Sequence, residues 1–364
     1  MNDKLLAIMI MVWVFATEVA YSQKKVSTQK MEEVYNEVKT PFKYGMVLVP
    51  DSKSKMVDSP SIFYSNGKWW MTYIVYDGQG YETWLAESSD LLNWKTLGKI
   101  MSFSKNTWDA NQKAGYLALQ DYEWGGSYKL ETYKDKYWMS YLGGADQGYE
   151  AGRLGVGIAS TINPTKAQEW TRLSKPVMLP TDSTARWYDN GSIFKSTVIH
   201  DKAKSLGASF VMFYNAANQS SSERYPKAER IGLAVSDDMV HWKRYGEEPV
   251  VDHFYGISGD AYITKMKDLW VMFYFGANWK PGAFDRFACS YDLENWTLWN
   301  GPDLIAPSET FDKTYAHKPL VIKYNGVVYH FYCAVSINEK GEEERSIALA
   351  TSVNLGKSPV KFPK

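Results

Sequence analysis

The sequence has little cysteine, no excess of either charge and no long apolar run beyond its first residues. Only two cysteines, Cys289 and Cys333, occur among 364 residues, which excludes a zinc cluster or a disulfide scaffold. Both lie in strand-like segments, so buried free thiols are favoured over a disulfide. The 41 Lys and Arg residues balance 41 Asp and Glu residues. A chain without net charge has no electrostatic basis for binding nucleic acid as its main partner.

Several enzyme signatures are absent as well. No G-x-G-x-x-G follows a strand, and the chain has no G-x-x-x-x-G-K-[ST] phosphate loop, no H-E-x-x-H zinc motif and no G-x-S-x-G nucleophile elbow. These absences argue against the dinucleotide, nucleoside triphosphate, zinc protease and serine hydrolase chemistries that such motifs carry.

The N-terminus has the pattern of a signal peptide. Lys4 precedes an apolar run from Leu5 to Thr17, and small residues occupy the −3 and −1 positions of a cleavage site before Gln23. The run is too short to span a bilayer comfortably, and no cysteine follows it to carry a lipid. We therefore expect residues 1–22 to be removed and the mature protein to be secreted or periplasmic, with no membrane span. The alternative is an uncleaved membrane anchor.

Aromatic residues are abundant. The chain contains 15 Trp, 26 Tyr and 15 Phe residues, and 45% of all residues are hydrophobic. Such a composition supports a large core, and aromatic residues favour strands. Their flat apolar faces are also surfaces on which sugar rings stack, although packing within a β core explains any single aromatic residue equally well.

One pattern returns five times: a polar residue, an apolar run, a turn and an aromatic strand. The copies begin at Asp58, Gly126, Asp189, Gly259 and His317. Turns such as Asn-Gly-Lys and Lys-Asp-Lys predict a β-hairpin in each copy. A second motif follows most copies, as in LAESSDLLNW, IGLAVSDDMVHW and ACSYDLENW. It indicates an outer hairpin in which a Ser-Asp turn precedes an inward-packing aromatic residue.

Four strands in each of five units predict an all-β fold, a five-bladed β-propeller with about four antiparallel strands per blade. We expect residues 46–364 to form this propeller as a single catalytic domain. Residues 23–45 precede it as an extension with a short helix before Pro41.

Residues at one repeat position converge near a propeller axis. Asp58, Asp189 and His317 share such a position, while Asp260 and Glu123 lie close to theirs. Two carboxylates facing one cavity suit glycoside hydrolysis, with one as general acid on the leaving oxygen and the other as base on water. The alternative is that strand-start Asp residues bond nearby backbone amides in turns.

These residues carry a resemblance to a known family. The Asp58-Ser59-Pro60 strand start, the acid Asp189 before an apolar strand and the axial His317 are similar to features of glycoside hydrolase family 43 and its five-bladed relatives. The resemblance implies that Asp58 is the general base and that Asp189 occupies the general-acid position, where the family normally has Glu. The family's blade-two Asp falls on Gly126 here. Three acids are candidates for its replacement: Glu123, Asp121 and Asp260.

Five residues are candidate substrate-binding groups: Arg186, Trp187, Trp124, His317 and Lys318. Aromatic side chains stack on sugars, and Arg or Lys pairs with anionic substituents. Loop packing, or a structural role for His317, is the alternative. The chemistry requires no cofactor and we predict no catalytic metal, although a structural cation at the axis near His317 is compatible with the fold.

We therefore expect an exported glycoside hydrolase, exo-acting and inverting, whose partner is a plant or algal oligosaccharide or polysaccharide. Two other functions remain open. One is a non-catalytic carbohydrate-binding propeller. The other is a glycoside phosphorylase, which would need a cationic phosphate site such as His317, Lys318 and Arg186.

Overall fold

The structure is a computed structural model that describes residues 25–222 and 226–363. The predicted signal peptide, residues 1–22, lies outside these ranges. Within them, no helix combines the length and apolarity needed to cross a bilayer.

The described chain begins with helix α1 (Thr28–Val38) and strand β1 (Phe42–Leu48). Ser27 caps the helix, since its Oγ accepts a hydrogen bond from the backbone N–H of Lys30 at 3.2 Å. The buried residues of α1 are Met31, Val34 and Val38, spaced as on one helical face, and they join the largest core cluster of the protein. The helix therefore anchors the N-terminal extension onto the β-structure.

Nineteen further strands follow in four-stranded antiparallel groups, which we call meanders. The first contains β2 (Met56–Ser65), β3 (Lys68–Tyr76), β4 (Tyr81–Ser88) and β5 (Lys95–Met101). The second contains β6 (Gln112–Leu117), β7 (Tyr137–Gly144), β8 (Gly155–Thr161) and β9 (Thr171–Arg172). The third contains β10 (Ser192–His200), β11 (Phe210–Ala217), β12 (Ala228–Ser236) and β13 (Lys243–Tyr245). The fourth contains β14 (Gly256–Met266), β15 (Leu269–Ala277), β16 (Ala283–Ser290) and β17 (Thr297–Leu298). The fifth contains β18 (Tyr315–Tyr324), β19 (Val327–Ile337) and β20 (Glu343–Thr351), and β1 completes it by pairing with β20.

The described strands make three hydrogen-bonded sheets rather than five. A short parallel pairing between β4 and β6 joins the first two meanders, and one between β12 and β14 joins the third and fourth. The all-β prediction is confirmed, whereas this sheet count does not confirm the predicted five blades. The first strands of the meanders nevertheless contact one another in a closed ring, in the order β2, β6, β10, β14, β18 and back to β2.

Four of these five first strands carry a bulge at the same place. The register shifts between Asp58 and Ser61, between Ile193 and Ser196, between Gly259 and Tyr262, and between His317 and Leu320. Bulges re-aim side chains and are common beside active sites. Inside three of these bulges a non-glycine residue has positive φ: Ser59 at 42°, Asp260 at 55° and Lys318 at 64°.

The strand bounds and registers correct the sequence alignment of two repeats. In the third meander Ile193, not Asp189, is equivalent to Asp58, so the predicted register is wrong by four residues. In the second meander the first strand is β6, and Gly126 lies in the long β6–β7 connection. The predicted alignment rests on single apolar residues, Leu130 and Ile193, whereas the backbone hydrogen bonds place the first strands in a different register.

The Ser-Asp turn of the second motif has one geometry in three meanders. In the first meander Ser88 Oγ accepts from the N–H groups of Asp90 and Leu91, and Asp90 Oδ1 accepts from those of Leu92 and Asn93. The fourth residue of each turn has positive φ, between 66° and 69°, and the following Trp donates its indole N–H to that residue's carbonyl. The predicted turn is thus confirmed as a recurring element.

The prediction for the two cysteines is also confirmed. Cys289 and Cys333 are both free and buried. Burial raises the pKa of the Cys333 thiol well above its ordinary value, which keeps it protonated and unreactive.

Candidate active site

A central cavity of about 270 Å³ lies where the first strands begin. It is lined by residues of all five meanders. The charged residues among them are Asp58, Glu150, Lys195, Glu229, Asp260, Lys318, Glu343 and Arg345. Removing so many ionisable groups from water lowers the stability of the fold unless the groups pair, and such clusters are typical of functional sites.

Asp58 holds two cations in this cavity. Its Oδ2 accepts hydrogen bonds from Lys318 Nζ at 2.6 Å and from an Arg345 guanidinium N–H at 3.0 Å. Its Oδ1 accepts from the backbone N–H and the hydroxyl of Ser59. Burial alone would raise the pKa of Asp58, but the charges of Lys318 and Arg345 outweigh it and hold the pKa well below its usual range. Asp58 is therefore a carboxylate, with both oxygens engaged.

A second buried pair faces the same cavity. Lys195 Nζ lies 3.7 Å from Asp260 Oδ2, which also accepts a hydrogen bond from the Ser59 hydroxyl at 3.2 Å. Burial lowers the pKa of Lys195, while Asp260 opposes that effect. Because Ser59, Asp260 and Lys318 occupy equivalent positions inside their bulges, the strained backbone at these positions brings their polar groups together.

Two glutamates form the protonatable part of the site. Glu229 is the second residue of β12, and its Oε2 accepts a hydrogen bond from the Asn215 amide at 2.9 Å. Burial, and next the negative charge of Glu150, raise the pKa of Glu229 to about 7. Glu150, in the β7–β8 connection, accepts from the Tyr81 hydroxyl at 3.2 Å, and burial raises its pKa too. Both glutamates line the central cavity, so their carboxyl groups share one site.

His317 adds a neutral imidazole. Its Nδ1 lies 3.2 Å from the carbonyl of Cys333, so Nδ1 carries the proton and donates it, which leaves Nε2 as an acceptor. Burial, followed by the neighbouring charge of Lys318, lowers the pKa of His317 to about 3. In the parts of the chain that the structure describes, no group of three or more His, Cys, Asp or Glu residues is arranged to hold a metal ion.

Four of the residues singled out from the sequence line this cavity: Asp58, Asp260, His317 and Lys318. The other six lie elsewhere, among them Asp121 of the β6–β7 connection, which accepts hydrogen bonds from the backbone N–H groups of Glu123 and Ser127. Asp189 is fully buried, accepting hydrogen bonds from the Tyr214 hydroxyl at 2.8 Å and from Arg244 Nε at 2.6 Å. It thus joins two strands of the third meander instead of reaching the cavity, as the four-residue register correction requires.

Glu123 and Trp124 belong to the β6–β7 connection. Glu123 is exposed, and the Trp124 indole donates to Glu37 of helix α1 at 2.8 Å. Arg186 donates to the carbonyl of Gly246 at 2.9 Å, and the Trp187 indole donates to Glu248 at 3.0 Å. None of these four residues lines the cavity.

Sequence reasoning missed Glu150, Lys195, Glu229, Glu343 and Arg345. A signal for two of them was present in the second motif. Counting seven residues back from the serine of the motif, or from its counterpart Ser352, gives Tyr81, Glu229, Ala283 and Arg345. All four line the cavity. The third strand of a meander therefore contributes to the site at a fixed distance from a recognisable turn.

No protein-family model matches the chain. Two solved structures are similar to nearly all of it. A complex of BT0996 with RGII is 50% identical, with a TM-score of 0.89, and the match covers 93% of this protein and 99% of that one. A glycoside hydrolase is 49% identical over the same shares of the two proteins, also with a TM-score of 0.89. The chain belongs to this family of glycoside hydrolases.

More distant matches add the fold and a limited sequence similarity. A thermostable family-43 glycoside hydrolase is 14% identical with a TM-score of 0.60, over 87% of this chain and 99% of that one, so the two share a fold. The curated β-1,2-mannobiose phosphorylase of Thermoanaerobacter sp. (strain X514) is 29% identical over 140 residues. That match spans 35% of this chain and 44% of the length of the phosphorylase.

Proposed function

We propose that the protein is a glycosidase in which Glu229 is the general acid and Glu150 is the second catalytic carboxylate. The observation that carries the proposal is the shared cavity, where burial and the charge of Glu150 raise the pKa of Glu229 to about 7. A carboxyl group with such a pKa is protonated often enough at neutral pH to donate to a leaving oxygen.

Glu150 suits the second role better than Asp58, the base predicted from the sequence. A base or nucleophile needs a lone pair directed at the reacting atom, but both oxygens of Asp58 already accept hydrogen bonds from Ser59, Lys318 and Arg345. Its lowered pKa also makes it a weak base. In this proposal Asp58 positions Lys318 and Arg345, whose donors, together with the acceptor Nε2 of His317, bind sugar hydroxyls.

The proposal includes a five-bladed propeller with one site at its axis. The support is the closed ring of first strands, from which each of the five meanders extends. The central cavity, at about 270 Å³, is just below the roughly 300–1,000 Å³ usual for small-molecule sites. We infer that it holds one terminal sugar, which favours exo action, and we retain inversion as the stereochemical outcome.

A phosphorylase is the second candidate, because the curated relative is one. A phosphate site needs cations that are not already neutralised. Lys318 and Arg345 pair with Asp58, Arg345 also pairs with Glu343, and Lys195 faces Asp260. This pairing favours hydrolysis over phosphorolysis. A non-catalytic carbohydrate-binding protein would not need the raised pKa values of the two glutamates.

The test is sugar release from RGII, β-1,2-mannobiose and a panel of plant and algal oligosaccharides, with and without phosphate. We expect release without phosphate, and a loss of at least about a hundredfold in Glu229→Gln and in Glu150→Gln. Glu32→Gln, on the exposed face of α1, is the matched control and keeps wild-type activity. A strict phosphate requirement would identify a phosphorylase, and binding without cleavage would identify a carbohydrate-binding protein. NMR of the first-formed anomer determines the stereochemistry.

We also propose that the chain is exported, on the signal-peptide pattern of its first 22 residues. The mature chain recovered from its host should begin at Gln23. Recovery of an intact chain beginning at Met1 in the membrane fraction would contradict this.

A further inference from the structure

A second cavity, of about 460 Å³, adjoins the central one between the third and fourth meanders. The two cavities share four lining residues: Phe194, Glu229, Ile257 and Asn278. The proposed general acid therefore lies on the boundary between two spaces rather than at the end of one.

The free oxygen of Glu229 makes this boundary significant. Oε2 accepts from Asn215, whereas Oε1 accepts no hydrogen bond from the residues that the structure describes. Because Glu229 lines both cavities, its free carboxyl oxygen is available to protonate an oxygen that joins a sugar in the central cavity to a group in the second cavity. The glycosidic oxygen has this position, because it joins the terminal sugar to the rest of the glycan and is the atom that the general acid protonates.

The second cavity has walls suited to a sugar. Phe194 and Ile257 offer apolar surface, while Gln219, Lys227 and Asn278 offer amide and ammonium groups. Sugar rings need this combination, because their C–H faces are apolar and their hydroxyl rims are polar. Directly before Gly256, which lines this cavity, Phe254 and Tyr255 form an edge-to-face pair at 4.7 Å and are 44% and 61% exposed.

We propose that the second cavity is the leaving-group subsite, which binds the sugar next to the cleaved bond, and that the Phe254–Tyr255 pair receives the glycan beyond it. The inference rests on the proposed function and adds the orientation in which the glycan binds. The released sugar occupies the smaller central cavity, and the remaining glycan extends outward between the third and fourth meanders. Specificity for the remaining glycan then depends on β10, β12 and β14, not on the axial charges.

The test separates the two cavities by binding their products individually. The released monosaccharide and the residual glycan are purified from a wild-type digest of the best panel substrate, and each is titrated calorimetrically. Ser192 lines the second cavity and is absent from the lining of the central one. Ser192→Trp should therefore weaken binding of the residual glycan at least tenfold, leave the Kd of the monosaccharide within twofold, and lower kcat/KM for the oligosaccharide by at least tenfold.

Ser174→Trp places the same side chain on an exposed loop and is the matched control, expected to change none of these values. Retained monosaccharide binding shows that Ser192→Trp is folded. Equal binding of the residual glycan to wild type and Ser192→Trp would overturn the subsite while leaving the glycosidase proposal intact. If wild type cleaves no substrate of the panel, the proposed function fails and the subsite with it.

Discussion

At the scale of single residues, the charge balance of the central cavity depends on Asp58. Replacing it by Asn leaves Lys318 and Arg345 buried without their shared carboxylate. Breaking a buried ion pair in this way costs about 3–5 kcal/mol of unfolding free energy. We expect a loss of that size in urea unfolding of Asp58→Asn at pH 7. Asp135→Asn is the control, since it lies in an exposed turn at a φ of 58° that Asn adopts readily.

The pH dependence of this contribution follows from the lowered pKa of Asp58. A carboxyl group whose pKa is lower in the folded state stabilises the protein fully above its ordinary value of 3.8, and loses that contribution as the pH falls toward the folded value. The difference in stability between wild type and Asp58→Asn should therefore be smaller at pH 3 than at pH 7. A difference that does not change with pH would contradict the assignment of the stability to the ionised carboxylate.

The second residue-scale prediction concerns the coupling of the two glutamates. Because the charge of Glu150 helps to raise the pKa of Glu229 to about 7, Glu150→Gln should lower it toward the ordinary 4.5. Carbon NMR titration of the Glu229 carboxyl measures this directly, without requiring turnover. In wild type, activity should fall as the pH rises above about 7, since the general acid must be protonated. If the pKa of Glu229 were the same in Glu150→Gln as in wild type, the two carboxyl groups would not be coupled.

Residues also show how far the sequence could predict the site. Asp58, Asp260, His317 and Lys318 could be found because three of the five first strands can be aligned by their apolar runs. Asp189 could not be placed correctly, because the register of β10, the first strand of the third meander, lies four residues later than its apolar pattern indicates. Glu150 lies in a connection without a repeat pattern, so its approach to Glu229 depends on tertiary packing that sequence spacing does not encode.

At the scale of elements, the Ser-Asp turn was predictable because its side-chain hydrogen bonds are local. Asp90, Asp238 and Asp292 each accept two backbone N–H groups in turns of the first, third and fourth meanders. Replacing any one by Ala should cost about 1 kcal/mol, as for the loss of a helix cap. The bulges were not predictable in this way, because their register depends on pairing with the next strand.

Because the three turns belong to different meanders, the losses should add in the triple variant to within about 0.5 kcal/mol. Urea unfolding measures the stabilities, and the release of sugar should stay at the wild-type level in all four variants. Loss of activity in a single variant, at wild-type stability, would show that the turn shapes the cavity as well as the meander.

At the scale of the whole molecule, the two ends of the described chain meet in the fifth meander. Strand β1 pairs with β20 from Phe42 with Thr351 to Leu48 with Ile347, and Ser358 donates its backbone N–H to Tyr44. Residues 23–45 were predicted to precede the propeller, and the first four residues of β1 fall within that extension. The repeat copies contain no sign that an N-terminal strand completes the last unit, since that pairing joins residues roughly three hundred positions apart in sequence.

The pairing of β1 with β20, which completes the fifth meander, makes a prediction about truncation. A chain starting at Val49 leaves the edge of β20 unpaired, with its backbone groups open to other chains. We expect it to aggregate and to lose cooperative thermal unfolding, measured by size-exclusion chromatography and circular dichroism. A chain starting at Thr40 keeps β1 but loses α1, whose Met31, Val34 and Val38 are buried, so it should be less stable yet monomeric and cooperative. A chain starting at Lys25 is the control. If the chain starting at Val49 remained monomeric with the Tm of this control, β1 would not be needed to complete the fifth meander.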